Sequence, residues 1–137
     1  MINIYLDDIR TPNMSHNSER GIPTLSSSDN WIIVRDYQSF IDIIDSRFDD
    51  INIISFDHDL ACFDIDGNEL TGKDATNYLI NYCMDNNKLL PNWYVHSDNS
   101  TGRENIIQLI LNFLRKVEGK SINFKYYNKG IIGNRLV

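Results

Sequence analysis

Three short polar clusters carry the residues able to do chemistry: Asp7-Asp8, Asp57-His58-Asp59 and His96-Ser97 with Asn99. Each follows an apolar run. Carboxylates and imidazoles gathered at one place can do two things. They can hold a hard cation through oxygen, with Mg2+ the natural ion for carboxylates. Or they can move protons near neutral pH, His58 and His96 serving as base and acid, as hydrolysis of a phosphodiester requires. In that case Asp57 or Asp59 orients His58. The residues leave both arrangements open. Four carboxylates, Asp7, Asp8, Asp57 and Asp59, cannot all stay ionised within a few ångströms without compensation. The cation, the two imidazoles or Arg10 would supply it. Each cluster also has a plainer reading, since Asp-His-Asp can be a hydrogen-bonded corner and a lone histidine is more often structural. Their shared place at strand ends favours chemistry.

A second pattern bears on anions. Thr71-Gly72-Lys73-Asp74 and Thr101-Gly102-Arg103-Glu104 repeat the order threonine, glycine, cation, acid, which is a capping-box start to a helix. Helix N-termini present free amides and a positive dipole end. A phosphate could approach the backbone at Gly102 or Gly72, with Arg103 or Lys73 adding charge and Ser97, Asn99 and Arg10 completing its contacts. Capping boxes are common, however, and usually only start helices.

The elements that would position these residues follow from apolar spacing. Ile2–Leu6 reads as a strand ended by Asp7-Asp8. Residues 11–30, rich in Ser, Asn and Pro, read as a long loop, with His16 solvated in it. Residues 31–35 form a second strand, and Asp36 caps a helix over 37–48. The run 51–60 is a strand buried on both faces that stops at Asp57. Asp64 to Asn68 signal a tight turn or hairpin. Its acids lack the ligand spacing of a calcium loop. Helices over 71–86 and 101–118 flank a strand at 93–95. A fifth strand spans 121–127, and 129–137 is a hairpin return or a tail. Strands alternating with helices at this spacing predict a small doubly wound α/β domain. Its sheet is parallel, of order 2-1-3-4-5, with a loop in place of the first crossover helix. Open sheets of this kind bind ligands outside the carboxyl ends of their strands, where all three clusters fall.

One domain, 1–137, suits the length, and a chain of this size needs no disulfide staple. Cys62 and Cys83 form neither a CxxC pair nor a zinc spacing, so a reducing cytoplasm with free thiols is expected. The net charge of −6 argues against a general DNA- or RNA-binding surface, though a local basic pocket could hold one phosphate. No signal peptide or membrane span is legible. Tyr126-Tyr127 offer an oligomer interface.

LDDIR (6–10), WIIVR (31–35), SFDHDL (55–60), TGKDA (71–75) and VHSDNSTG (95–102) together resemble the cyclic-phosphate-processing receiver-like family. The resemblance spans about residues 6–105. It implies a flavodoxin-like sheet related to response-regulator receivers. In those, an acidic pair and the phospho-accepting aspartate hold Mg2+, which implies Asp7, Asp8 and Asp57 here. The family adds histidines, here His58 and His96. It is thought to act on cyclic phosphate ends of RNA or nucleotides, in the company of RNA-repair enzymes. Ser97 stands at the receiver switch position, while the receiver lysine is ambiguous between Lys125 and Lys129. The expected function is a phosphoesterase for a cyclic phosphate on a nucleotide or RNA end. The alternatives are a cyclic-nucleotide binder or sponge in phage–host conflict, which an Ile- and Asn-rich composition fits, and a receiver phosphorylated on Asp57.

Overall fold

Six strands of the chain form one sheet, and in its central strands successive side chains alternate between two largely apolar faces. The computed structural model describes residues 1–11, 31–118, 123–127 and 130–134. The expected loop over 11–30, with His16, lies almost wholly outside them, as does Lys129. The strands are β1 (Ile2–Leu6), β2 (Trp31–Val34), β3 (Ile51–Phe56) and β6 (Asn92–Val95), with β7 (Asn123–Tyr127) and β8 (Gly130–Asn134) near the C-terminus. A small hairpin pairs β4 (Cys62–Phe63) with β5 (Glu69–Leu70). Three helices are described: α1 (Tyr37–Arg47), α2 (Gly72–Asp85) and α3 (Ser100–Phe113), the last continued by a π-helical turn over Leu114–Glu118.

The main sheet has the order β2-β1-β3-β6-β8-β7. Its first four strands are parallel, giving the receiver-like α/β arrangement expected. The far edge differs in detail. Residues 130–134 do return as a hairpin, but β8 inserts between β6 and β7 and pairs antiparallel with both. The fifth strand of the sequence therefore ends up at the sheet's edge, one strand removed from β6. A tight return to a neighbouring strand needs only a short turn, whereas a parallel neighbour needs a crossover.

One face of the sheet supports the helices. Ile4, Leu6, Ile54, Phe56, Trp93 and Val95 form a continuous buried core with Phe40 and Ile44 of α1, Ala75 and Leu79 of α2, and Ile106 and Ile110 of α3. The other face carries Asn3, Tyr5, Ile53, Ser55 and Tyr94, all buried. By the same two-residue period, Asp7, Asp57 and His96 continue that second face beyond the strand ends. Alternation thus aims three chemically active side chains the same way.

Candidate active site

The loop after β1 is tied by its own first residue. Asp7 Oδ1 accepts from the amides of Ile9 (3.0 Å) and Arg10 (2.7 Å), and Oδ2 accepts from Arg10 Nε at 3.2 Å and His96 Nε2 at 3.0 Å. Arg35, at the end of β2, donates to the carbonyls of Asp7 and Arg10 and clamps the loop from outside. Asp7 is fully buried. Burial favours its neutral form, yet the bonds from His96, Arg10 and Ile9 outweigh this and hold its pKa well below the usual carboxylate range.

Asp57 has the opposite fate. It is 5% exposed; burial and the adjacent charge of Asp7 push its pKa up to about 7, against weaker opposition from the His58 amide, Arg10 and the Ser97 hydroxyl. Such a carboxyl exchanges its proton near neutral pH.

The two histidines also separate. His96 is fully buried, its ring stacked on Tyr5 with centroids 4.3 Å apart. Desolvation lowers its pKa despite the bond to Asp7, so it is neutral. Ionised Asp7 can only accept, so Nε2 carries the hydrogen and Nδ1 accepts from the Ser55 hydroxyl at 2.6 Å. Both ring nitrogens are thereby used. Proton transfer between His96 and a substrate, the role expected from the sequence, would require uncovering this fully buried ring, whose two nitrogens are bonded to Ser55 and Asp7. His58 is partly exposed. Its Nδ1 donates to Asp59 Oδ1 at 2.9 Å, and Asn99 Nδ2 bonds both oxygens of Asp59 at 3.3 Å. Asp59, rather than Asp57, orients the His58 ring, and Nε2 has no hydrogen-bond partner among the described residues.

A cleft of about 340 Å3 is lined by Asp7, Asp8, Ile9, Arg10, Asp57, Asp59, Asp98 and Asn99. His58 is held by two of these residues without being part of the wall. A larger groove of about 520 Å3 between the β4–β5 hairpin and α1 is mainly apolar. Its acids are already used, Asp36 capping α1 and Asp64 closing the hairpin turn, so the acidic cleft is the better candidate site.

The helix termini act differently from the sequence expectation. Thr71 and Asp74 do form a capping box on α2. However, α3 begins earlier, with Asn99 as its cap accepting from the Gly102 amide at 2.9 Å; Thr101 caps nothing. That bond occupies the Gly102 amide, and the Gly72 amide donates to the His58 carbonyl at 2.7 Å. Neither is left for a phosphate. The glycines serve closeness instead. A Cβ at Gly72 would lie 1.8 Å from the Asp57 carbonyl oxygen, and one at Gly102 would lie 2.3 Å from the His58 ring. Arg103 donates to the Ser97 carbonyl at 3.1 Å, Ser97 is buried, and Lys73 is exposed outside the cleft wall. Of the expected phosphate contacts, Arg10 and Asn99 face the cleft.

The metal trio is also rearranged. Asp7, Asp57 and His96, not Asp8, bring possible ligand atoms within 4.8 Å of one another. The donor set does not fit Mg2+ as it stands. Asp7 already accepts four N–H bonds, the His96 nitrogen facing it carries a hydrogen, and Arg10 lies between the acids. Its Nε meets Asp7, Nη1 meets Asp98 at 3.0 Å, and Nη2 lies 4.0 Å from Asp57.

Tyr5, Ser55, Arg35 and Asp98 were not among the sequence candidates. Tyr5 and Ser55 had a signal: each stands two residues before an acid at a strand end, hence on the same face. Asp98 and Arg35 had none, because their pairing depends on loop conformation.

No helix among the described residues is long and apolar enough to cross a membrane. The sequence matches the family of cyclic-phosphate processing receiver domains over residues 2–112. No curated protein and no solved structure matches it.

Proposed function

The chain belongs to the cyclic-phosphate processing receiver domain family, and we propose that it is a cytoplasmic phosphoesterase that opens a cyclic phosphate on a nucleotide or RNA end, in RNA repair or nucleotide-signal processing. The observation that carries this is Asp57, its pKa raised to about 7 and its carboxylate 4.0 Å from the Arg10 guanidinium, next in the chain to the Asp59-oriented His58. Opening the ring requires a base for water and an acid for the leaving ribose oxygen. His58 Nε2 takes the proton from water as its oxygen bonds phosphorus. Asp57 gives its proton to the ribose oxygen as the phosphorus–oxygen bond breaks, yielding a phosphomonoester and a free hydroxyl. An incoming phosphate anion favours protonated Asp57 further, so binding arms the acid. Arg10 offsets the phosphate charge, and His96 and Ser55 keep Asp7 ionised behind it.

Turnover of a 2′,3′-cyclic nucleotide by wild type, His58→Ala and Asp57→Asn tests the reading. Each variant should lose about 10²–10⁴-fold in rate; equal rates in all three would sink it. The position of His58 outside the cleft wall favours a second reading, a binder of cyclic nucleotides without turnover. Intact ligand recovered bound after incubation would decide for that. A phospho-accepting role fits less well, since a carboxyl protonated near neutral pH is a poor nucleophile.

A further inference from the structure

We propose that the guanidinium of Arg10 is the resident cation of this site, standing where a receiver holds its divalent ion, so that no Mg2+ is taken up between Asp7 and Asp57. This goes beyond the phosphoesterase reading and does not depend on it.

Three observations converge. First, a carboxylate has about four lone-pair directions, and those of Asp7 are taken by Ile9 N, Arg10 N, Arg10 Nε and His96 Nε2. Mg2+ demands near-octahedral oxygen ligands at about 2.0–2.1 Å, and Asp7 has no direction left to offer. Second, one guanidinium addresses three carboxylates from separate segments: Asp7 after β1, Asp57 after β3 and Asp98 after β6. That is the bridging a metal would perform across the three strand ends. Third, the arginine is fixed. Its carbonyl accepts from Arg35 Nη1 at 2.7 Å, its amide donates to Asp7, and its side chain is only 19% exposed. Burial works against its charge, but Asp7, Asp98 and Asp57 more than offset this. A guanidinium does not deprotonate or dissociate. The site is therefore charged at every cation concentration, unlike one loaded with exchangeable Mg2+.

Thermal unfolding of wild type and Arg10→Gln, each with EDTA and with millimolar Mg2+, tests the exchange of roles. Wild type should unfold at the same temperature in both buffers. Arg10→Gln should be less stable in EDTA and gain about 5 °C with Mg2+, since removing the guanidinium frees Asp7 Oδ2 and uncovers Asp57. An equal gain in wild type, or a folded variant that does not respond, overturns the proposal. Should the variant fail to fold in either buffer, the wild-type 13C carboxyl resonances of Asp7 and Asp57 decide. They should not move with Mg2+, and saturable shifts in both would overturn it. Neither readout involves turnover, so a negative result here leaves the acid–base reading standing.

Discussion

At the scale of single residues, the site is a lesson in identical side chains sent in opposite directions by their neighbours. Asp7 and Asp57 are both buried, yet Asp7 collects four donors and stays ionised, whereas Asp57 collects fewer and sits next to that ionised partner. The histidines differ in the same way. Asp59 accepts from His58 Nδ1, and Asp7 accepts from His96 Nε2. The two rings should therefore be opposite tautomers at alkaline pH, where imidazoles are neutral: hydrogen on Nδ1 in His58 and on Nε2 in His96. Long-range 1H–15N correlation spectra separate the two forms, and finding both rings in one form would refute the hydrogen-bond scheme. Replacing Asp59 by Ala should release His58 to mix tautomers without affecting His96. Its turnover loss should be smaller than that of His58→Ala, since the ring remains but its orientation does not.

At the scale of elements, the first turns of α2 and α3 are pressed against the loop that holds Asp57 and His58. Glycine permits the contact in both, but the obstacles differ. At Gly72 a side chain would meet the Asp57 backbone carbonyl, which cannot move without shifting β3; at Gly102 it would meet an imidazole, which can rotate. Overpacking of this sort costs typically about 1–3 kcal/mol. Gly72→Ala should fall at or above the upper end of that range, and Gly102→Ala near the lower end. Gly102→Ala should nonetheless lose turnover out of proportion to its stability loss, because its clash displaces the proposed base. Chemical denaturation beside turnover assays separates the two effects; equal stability losses would contradict the geometry.

For the whole molecule, buried titratable groups make stability depend on pH. Asp57 has a folded pKa of about 7 against an unfolded value of about 3.9. The native state therefore binds the extra proton between these values, and this contribution to stability is lost as pH rises through them. Asp7, depressed, contributes stability above its unfolded pKa that is lost in acid. His96, also depressed, contributes stability that falls away as pH drops below about 6.5, where the unfolded ring protonates. Just below about pH 6.5 the Asp57 and His96 slopes oppose, which should flatten the wild-type profile there. Asp57→Asn removes one side of that balance. Its stability relative to wild type should increase from about pH 4 to 7 and then level off, at about 1.4 kcal/mol for each pKa unit removed. Denaturant titrations across that range check it, and a difference independent of pH would show that Asp57 is not raised.

Much of the design is local and was therefore legible in the chain. The two-residue period of INIYL and INIISF, the helical spacing of Phe40 and Ile44 or Ile106 and Ile110, and the polar residues that stop each run determined the order of elements, the four-strand parallel core and the gathering of Asp7, Asp57 and His96 at the carboxyl ends of adjacent strands. Periodicity also encodes which face a side chain takes, so the company of Tyr5 and Ser55 was available in principle. Tertiary structure alone decided what each gathered residue does. Whether a histidine is a base or a buried prop depends on how many atoms cover it, and the pKa of Asp57 depends on a charge fifty residues away in sequence. Whether Asp7 can take a metal depends on Arg10, which is close in sequence but turned inward by Arg35 and Asp98. The same holds for the cap of α3, which Asn99 takes from Thr101 because its side chain reaches the Gly102 amide, and for β8, which reaches its place beside β6 by pairing across space. Burial, charge coupling and hydrogen-bond saturation are sums over spatial neighbours, and no local pattern of residues contains them.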